Sequence, residues 1–411
     1  MKRIAHLLLA GLLWIAPEAT AAAQAISLTD AQFEARAHAP EGAELDARLR
    51  GADAVLDDAG RVFRRDPSIQ GSYSTGALTG SPNEHAATVG VRLPVDISGS
   101  WTPREGSARA DRDRARYERE DGLRALDEAV AIAFADVALS QRLVERAGRV
   151  AALYELALSA ETERLRVGQG TQLDVDAAEL DAQGSRASVA EARGLLAQAR
   201  VRLGRLLGRD SSTDLAVEDP TEPASARSES GIAATVDVDP RVLGSEAYAR
   251  ARSIEVEMYD RLMIPTPTFG IDVGWRRSDI PPEWQLGLTL SVPVPLFDGN
   301  REPRVRVLSL SYAASARVDT LRADVRSELE QAWIVYGAAV EALEAVAPSA
   351  AIVDRDFVLL EQAVRAGTMD AVTRALALRR LEDAGRRLDL AVREVRVAQA
   401  RLERRVVSPP Q

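Results

Sequence analysis

Residues that could bind a metal or act as nucleophiles are scarce in this 411-residue sequence. Histidine occurs only at His6, His38 and His85, and there is no cysteine. A histidine-based catalytic triad and a multi-histidine metal site both need several such side chains at one point, which a single chain of this composition does not supply. The absence of cysteine also excludes disulfides, thiolate metal ligands and a lipid attached to an N-terminal cysteine. We therefore expect no metal site.

Paired carboxylates offer the remaining route to acid–base chemistry. Asp174 with Asp176, and Glu382 with Asp383, are such pairs, but each lies in a stretch whose charge pattern is typical of a solvated helix face. No glycine-rich phosphate loop follows a strand pattern. The sequence therefore predicts that the protein is not an enzyme and carries no cofactor.

The charge balance argues against nucleic acid as a partner. The chain has 62 acidic and 52 basic side chains, and its formal net charge is −10. The basic residues are interleaved with acidic ones and form no basic block. Binding to nucleic acid depends on clustered positive charge that neutralises phosphates, so we do not expect it here.

The N-terminus has the pattern of a signal peptide. Lys2 and Arg3 precede an apolar stretch, and Ala23-Gln24-Ala25 forms a small-residue cleavage site. We assign residues 1–25 to this signal and expect export. Beyond it we find no window of 18 or more apolar, nearly uncharged residues, so the sequence predicts that any membrane insertion uses strands rather than helices.

The chain contains an internal duplication with an offset of 200 residues that becomes 199 after one loop. Matching residues include Pro40 and Pro240, Pro67 and Pro267, Pro94 and Pro293, and Gly168 and Gly367. We divide the chain into a signal peptide (1–25), a first repeat (26–207), a connector (208–239), a second repeat (240–407) and a tail (408–411). Neither repeat needs to fold alone, because two repeats can complete one ring or layer together.

Each repeat is predicted to contain a helix, two strands, and a long helix that turns back on a shorter one. The expected helices include residues 28–65, 105–166, 304–366 and 369–406. Apolar or small residues at heptad spacing along 105–166 predict helical neighbours, with Glu161 as the one misfit. Two shorter helices are expected to stack end to end beside each long one. The fold class is therefore mainly α with a small β part.

Three of the four predicted strands alternate strictly between apolar and polar residues, and the first, with Ile69, Gly71 and Tyr73, does so more weakly. Such strands, if they are 9 to 11 residues long, suit a barrel wall with the apolar side toward lipid and the polar side toward a wet lumen. The apolar, lipid-facing set is Val89, Val91, Leu93, Val95, Phe269, Ile271, Val273, Trp275, Leu288, Leu290, Val292 and Val294.

A soluble, half-buried sheet shows the same alternation, and the pattern alone does not separate the two. The membrane alternative is favoured because the sequence offers no other apolar surface that four strands could cover. Four strands cannot close a membrane barrel, and an open edge is not tolerated in hydrocarbon. Several copies of the chain would therefore have to share one barrel.

The order of these elements resembles the TolC family of outer-membrane factors over essentially the whole chain after the signal peptide. The resemblance includes the turns Arg166-Val167-Gly168-Gln169-Gly170-Thr171 and Arg365-Ala366-Gly367-Thr368. The segment from Leu290 to Gly299 also resembles that family's second-repeat strand and its exit into the long helix.

The resemblance implies a homotrimer in the outer membrane of a Gram-negative bacterium, with a twelve-stranded β-barrel and a long α-helical coiled-coil barrel in the periplasm. It implies an exit duct of a tripartite efflux pump or type I secretion system, joined by a periplasmic adaptor to an inner-membrane transporter. The adaptor would contact the hairpin tips at Gly168, Gly170, Thr171, Gly367 and Thr368. Candidates for a tunnel constriction are Asp174, Asp176 and Asp370.

Two other functions remain to be weighed against this one. A periplasmic adaptor also has a helical hairpin, but it has one hairpin and lipoyl-like β modules, which do not suit a duplicated chain. A purely structural periplasmic coiled coil leaves the strand pairs unexplained. The glycines of the tips also fit plain helix termination, which is compatible with adaptor contact.

Overall fold

The computed structural model describes residues 25–61, 66–75, 85–209, 215–218, 232–277, 281, 283–294 and 301–406. Residues 1–24 of the predicted signal peptide and the predicted tail lie outside the described residues, and the connector is described in part.

The described residues of the first half form four helices and two strands. They are α1 (Leu28–His38), α2 (Pro40–Ala59), β1 (Ser68–Thr75), β2 (His85–Pro94), α3 (Trp101–Arg166) and α4 (Gln172–Leu206). The described residues of the second half begin with one short helix and then have one helix before the strand pair and three after it. They are α5 (Ile232–Asp237), α6 (Pro240–Arg261), β3 (Thr268–Arg277), β4 (Glu283–Ser291), α7 (Arg301–Val346), α8 (Ser349–Arg365) and α9 (Ala371–Arg405).

Helices α2 and α6, which correspond to each other in the two halves, both begin with a proline. Pro40 and Pro240 stand in the first turn of α2 and α6, where a missing N–H is not needed and the fixed φ suits the helix. Asp239 also caps α6, because its carboxylate accepts the backbone N–H of Arg241 at 2.8 Å. The matching start of both helices is a local consequence of the duplicated sequence.

Helix α3 organises the first half. Its 66 residues give it a length of about 100 Å. Helices α1 and α2 pack along one part of it and α4 along another. The C-terminus of α4 meets the start of α2, where Arg205 binds Glu41 at 2.9 Å, and the following Arg209 binds Glu34 of α1. The shorter helices therefore stack end to end beside the long one, as the sequence predicts.

The second half repeats this junction. Helices α6 and α9 both pack on α7. Glu328 of α7 lies between their adjoining ends, 2.8 Å from Arg241 of α6 and 3.5 Å from Arg405 of α9. In both halves, therefore, the ends of two shorter helices meet beside a long helix, with different residues forming the ion pairs.

Ion pairs also join the two halves along the contact of α3 with α9. These pairs include Glu161–Arg374, Arg146–Asp389, Asp136–Arg393 and Glu128–Arg404. The numbers rise along α9 as they fall along α3, so the two helices run antiparallel. A Cβ at Gly385 would overlap the Arg146 guanidinium, so a larger residue there would displace that side chain.

The largest apolar core lies where α1, the middle of α3 and the end of α4 meet. Val130, Phe134 and Val137 of α3 are almost fully buried there, together with Leu203 of α4. Val130 and Val137 belong to the predicted heptad pattern, whereas Phe134 does not. A helix with neighbours on more than one side explains why this core is wider than a two-stranded seam.

Two predicted helices are broken by proline. The helix predicted over residues 28–65 is two helices, α1 and α2, because Pro40 follows Ala39 in an extended conformation. The helix predicted over residues 304–366 is broken between α7 and α8 at Ala347 and Pro348. Proline has no N–H for an intrahelical bond, so a break at this position is expected. Both predictions of a single continuous helix were wrong.

The connector is more ordered than predicted in its described parts. Leu215 and Val217 are buried in the core of the first half, and Val217 forms a parallel bridge with Ile26. The connector also contains α5, which packs on α7. The expectation of a surface segment was wrong for these residues, because their apolar side chains fill a core that no periodic pattern reveals.

One stretch contradicts the expectation that no helical segment passes the test for a membrane span. Arg301–Arg365 passes it by length and composition, with a mean hydropathy of 1.2 in its apolar window. The stretch contains the break at Pro348 and packs on α6 and α9, so a single candidate of this kind is weak evidence for a helical span.

Candidate functional site: strand faces and hairpin tips

The four strands form one antiparallel sheet in the order β1-β2-β3-β4, with an apolar face that is exposed. Ile69, Val91, Ile271 and Leu288 form one row across all four strands. Their exposed fractions range from 47% for Val91 to 81% for Leu288. Burying such side chains is normally favourable, so a whole exposed row indicates a surface that is covered in the working protein.

Most of the predicted lipid-facing residues lie on this face. They are Val89, Val91, Leu93, Phe269, Ile271, Val273, Trp275, Leu288 and Leu290. The other three, Val95, Val292 and Val294, were predicted as strand residues and lie beyond the strand ends. Pro94 and Pro293 stand next to them and cannot donate a ladder hydrogen bond, which is the reason the strands stop early. Contact of the face with lipid itself stays a prediction.

Aromatic residues mark the end of the apolar face that lies away from the helices. Trp275 and Trp284 are paired across β3 and β4, and Tyr73 of β1 lies in the same row. The row is six residues from Phe269, a distance of about 20 Å along the strand. An apolar band of this height ending in aromatic side chains is typical of transmembrane barrels.

The opposite face is polar and its side chains bind one another. Arg92 of β2 binds Asp272 of β3 and Thr289 of β4 at 2.8 Å and 2.7 Å. Ser72 of β1 and Thr88 of β2 are hydrogen bonded at 2.9 Å. The sheet therefore has one face suited to an apolar medium and one suited to water.

The sheet has two edges without a partner in the described part of the protomer. Strands β1 and β4 each pair with a single neighbour. Their outer N–H and C=O groups lie in a row that can pair with another strand. A sheet of this kind, exposed on its apolar face and open at both edges, can be completed by other copies of the chain.

The two hairpin tips have the same turn. We call residues 167–171, between α3 and α4, tip 1, and residues 366–370, between α8 and α9, tip 2. Gly168 has a φ of +75° and Gly367 a φ of +64°, in the left-handed region that favours glycine. At each tip the glycine N–H and the next N–H donate to the two carbonyls of a Schellman turn, with distances from 2.8 to 3.2 Å.

The aspartates predicted as constriction candidates have local hydrogen bonds at the tips. Asp174 and Thr171 form a reciprocal capping box at the start of α4. Asp370 caps α9 by accepting the N–H of Thr373 at 2.9 Å. Hydrogen bonds from Thr171 lower the pKa of Asp174, and those from Thr373 lower the pKa of Asp370. Asp176 accepts a hydrogen bond from Gln172 at 2.7 Å.

Helix capping is by itself a sufficient reason for acidic residues at these helix starts, so their presence does not require a tunnel constriction. All three carboxylates remain exposed at the ends of the hairpins. Their role in a tunnel constriction therefore stays a prediction.

Exposed apolar residues at the tips were missed by the sequence analysis. Val167 lies at tip 1, and Val372 and Leu376 lie in the first turns of α9 beside tip 2. Val372 is 69% exposed. These three residues add an apolar component to a surface predicted from glycines alone.

A buried ion pair links the two hairpins close to their tips. Glu161 of α3 lies 3.6 Å from Arg374 of α9, and their side chains are only 7% and 5% exposed. Arg164 adds a second guanidinium 3.2 Å from Glu161. Glu161, the misfit of the heptad pattern, thus has a charged partner on a helix more than 200 residues later in the chain. Sequence analysis found the anomaly but not its partner.

The second carboxylate pair is not on a fully solvated face. Glu382 is half-buried in the groove where α3, α4 and α9 meet. Burial raises its pKa, and the neighbouring Asp383 raises it further. Within the residues that the structure describes, no three His, Cys, Asp or Glu side chains are placed to hold a metal ion.

The architecture is that of outer-membrane channels. The outer-membrane channel OprN has a TM-score of 0.72, with 18% identity over 92% of this chain and 89% of that one. The MtrE outer membrane channel of Neisseria gonorrhoeae, in its open state, has a TM-score of 0.71, with 14% identity over 92% of this chain and 88% of that one. At these identities the comparison defines the fold.

Two sequence matches point to the same kind of protein as the fold. Residues 34–209 match the outer membrane efflux protein family. The nickel-cobalt-cadmium resistance protein NccC of Alcaligenes xylosoxydans xylosoxydans is 29% identical over 294 residues, or 68% of this chain, and the match spans 63% of the length of NccC. Both matches agree with the resemblance of the sequence to the TolC family, and the fold is the one seen in outer-membrane channels.

Proposed function

We propose that the protein is the outer-membrane exit duct of a tripartite efflux pump or a type I secretion system and conducts its cargo without chemical change. The observation that carries the proposal is the four-stranded sheet, which is apolar and exposed on one face, polar on the other and open at both edges. Purified protein added to a planar lipid bilayer is expected to give discrete conductance steps. A protein that never conducts contradicts the proposal.

We propose further that the duct is a homotrimer. Three copies of four strands give the twelve-stranded barrel that the family resemblance implies, and β1 of one copy would pair with β4 of the next. Full closure removes the edges that hydrocarbon does not tolerate. The helices of each copy would continue the wall below the membrane.

Helix α4 supports this assembly with an unpartnered stripe. Within the protomer α4 packs mainly on α3, through residues such as Ala192 and Ala199. We call the exposed set at seven-residue spacing the α4 stripe; it comprises Leu173, Leu180, Ala187, Gly194 and Val201. At 100° per residue, Gly194 points about 200° away from Ala192. The stripe thus lies opposite the face that contacts α3.

A matching apolar surface lies on α7 and α8. Ile334, Val335, Ile352 and Leu359 are exposed, with fractions of 48% to 68%. In a closed ring of helices, the flank of α4 in one protomer meets the flank of α7 and α8 in the next. Both flanks are apolar, which supports their burial against each other.

Replacing Gly194 with leucine is expected to prevent trimer formation. No atom lies within 4 Å of a Cβ built on Gly194, so the protomer accepts a larger side chain there. Leucine also favours the helix over glycine by about 1 kcal/mol. In the trimer the same side chain would meet the neighbouring helix. Native electrophoresis and chemical cross-linking in the membrane measure the loss of trimer.

The matched control is Arg193→Leu, one position along the same helix and about 100° around it. This variant is expected to assemble normally. Equal trimer yields for Gly194→Leu and Arg193→Leu would contradict the placement of the α4 stripe in the interface.

The hairpin tips are proposed to bind a periplasmic adaptor that joins the duct to an inner-membrane transporter. Gly168, Gly170, Thr171, Gly367 and Thr368 form the turns, and the apolar side chains beside them supply area that can be buried. Glycine substitutions are poor tests of contact, because the positive φ of Gly168 and Gly367 strains any other residue. Apolar positions beside the turns are better probes.

Replacing Val372 with glutamate is expected to reduce export about fivefold or more while leaving the trimer intact. A carboxylate in the first turn of α9 interacts favourably with the helix dipole, so the helix itself is not weakened. A buried carboxylate without a partner in the adaptor contact would weaken docking by about 1–3 kcal/mol. Co-purification of the adaptor with the trimer measures docking.

Export in the same experiment is measured as tolerance to nickel, cobalt and cadmium, which the name of the relative NccC suggests as cargo for this chain. Val372→Ile is the control and is expected to retain export. Full adaptor binding and full tolerance in Val372→Glu would contradict docking at tip 2. A wild-type protein that binds its adaptor and gives no metal tolerance would contradict the proposed metal cargo and leave the proposed adaptor docking standing.

We keep Asp174, Asp176 and Asp370 as candidates for a ring of carboxylates at the periplasmic mouth. Their exposure supports this proposal, although two of them also cap helices. The alternative of a periplasmic adaptor is not favoured, because the sheet, its position within a duplicated chain and the matched family all belong to channels.

A further inference from the structure

A charged pair crosses the polar face of the sheet in the middle of the strands. The Arg92 guanidinium donates to the Asp272 carboxylate at 2.8 Å and to the Thr289 hydroxyl at 2.7 Å, and Thr289 donates to Asp272 at 2.5 Å. Gln70 of β1 accepts a longer bond from Arg92 at 3.4 Å. The cluster therefore has one member on each strand, and all of its members are polar.

Glycines make room for the pair to lie flat against the sheet. Gly270 is the register partner of Arg92, and Gly90 is the register partner of Asp272. A Cβ at Gly270 would overlap the Arg92 guanidinium, and one at Gly90 would overlap the Asp272 carboxylate. Each charged side chain thus covers the glycine opposite it. The side chains of Arg92 and Asp272 are 22% and 18% exposed, which is low for charged groups on an open sheet.

The other charges of this face are also matched. Arg276 of β3 stands directly opposite Glu283 of β4. On the polar face of the described strands, two arginines therefore accompany two acidic residues, and the formal charge sums to zero. A wall of this kind neither attracts nor repels small ions by net charge.

We propose that the Arg92–Asp272 pair sets the charge selectivity of the barrel lumen by keeping its wall neutral. The inference depends on the proposed duct, because the polar face lines a lumen only if the barrel forms. In the trimer the pair occurs three times around the bore. Loss of one partner leaves three like charges at one level, and like charges that line a pore focus counter-ions by tenfold or more.

Selectivity distinguishes this role from a purely structural one. A pair that only stabilises the sheet affects assembly in the same direction whichever partner is removed. A pair that neutralises the lumen gives opposite changes. Asp272→Asn leaves an unpaired guanidinium and favours anions, whereas Arg92→Gln leaves an unpaired carboxylate and favours cations.

The test measures reversal potentials in planar bilayers under a gradient of KCl at low ionic strength, where screening is weak. The wild-type permeability ratio, which includes the contribution of the proposed carboxylate ring at the periplasmic mouth, is the reference for the variants. The cation-to-anion permeability ratio is expected to fall about threefold or more in Asp272→Asn and to rise about threefold or more in Arg92→Gln. The double variant Arg92→Gln/Asp272→Asn restores the neutral wall and is expected to return to the wild-type ratio.

The outcomes separate the two proposals. Absence of conductance in the wild-type protein overturns the duct itself. Conductance with an unchanged ratio in both single variants overturns only the role of the pair. If a single variant fails to form trimers, Gln285→Glu serves instead, because it adds a negative charge to the same face and leaves the pair intact. This variant must raise the cation-to-anion permeability ratio. An unchanged ratio again overturns the inference.

Discussion

Replacing Ile271 with arginine is expected to prevent stable insertion of the trimer into the outer membrane. Ile271 lies in the middle of β3, within the exposed apolar row formed with Ile69, Val91 and Leu288. An arginine facing lipid at the middle of a membrane barrel costs about 2–4 kcal/mol per copy. A homotrimer carries three copies, so the penalty is a large fraction of the stability of an ordinary domain. Membrane fractionation and the amount of trimer that resists detergent measure the effect.

The control places the same side chain on the other face of the sheet. Gln285 of β4 is exposed on the polar face. Gln285→Arg is therefore expected to insert normally, although it adds a positive charge to the proposed lumen. Normal insertion of both variants would mean that the apolar face does not contact lipid. Failure of both would mean that the two faces are not distinguished by their surroundings.

Replacing Arg374 with methionine is expected to separate the two hairpins near their tips. The change leaves Glu161 buried between α3 and α9 with only the half-exposed Arg164 as a partner. Removal of one member of a buried pair typically costs about 3–5 kcal/mol, and the remaining Arg164 places the expected loss at the lower end. A loss of about 3 kcal/mol corresponds to roughly a hundredfold more frequent opening, since each 1.4 kcal/mol is a factor of ten.

Hydrogen exchange at the backbone amides of α8 and α9 measures this opening. The matched control is the double variant Glu161→Met/Arg374→Met, which replaces the pair by apolar side chains and is expected to recover most of the protection. Arg365→Met, which removes an exposed ion pair with Glu361, should have little effect. Equal protection in Arg374→Met and wild type would show that the pair does not hold the hairpins together.

Much of this protein could be predicted from local sequence patterns. The period of two in the strands identified the apolar face, and a row such as Val91 and Ile271 lies on it in the structure. The glycines at 168 and 367 identified both tips, since a helix commonly ends at a residue with positive φ. The alternation of residues along a strand and the end of a helix both depend on residues only a few positions apart in the sequence. They are therefore visible in a single sequence.

Contacts between distant parts of the chain could not be predicted in the same way. The heptad pattern marked Glu161 as a misfit, but Arg374 is one of many arginines, and nothing local distinguishes it. The buried Leu215 and Val217 gave no periodic signal in a polar connector. The break at Pro348 had a local signal, and it was missed because the duplicated pattern suggested a continuous helix like α3.

The sequence by itself thus determined the kinds of elements, the order in which they repeat and the two-sided character of the strands, because these depend on residue type and short-range spacing. Only the tertiary structure decided the strand register that sets Arg92 over Gly270 and Asp272 over Gly90. That register joins strands from the two repeats, about 180 residues apart, through backbone ladders and side-chain packing. Such pairing depends on the free energy of the whole sheet, which no short segment contains.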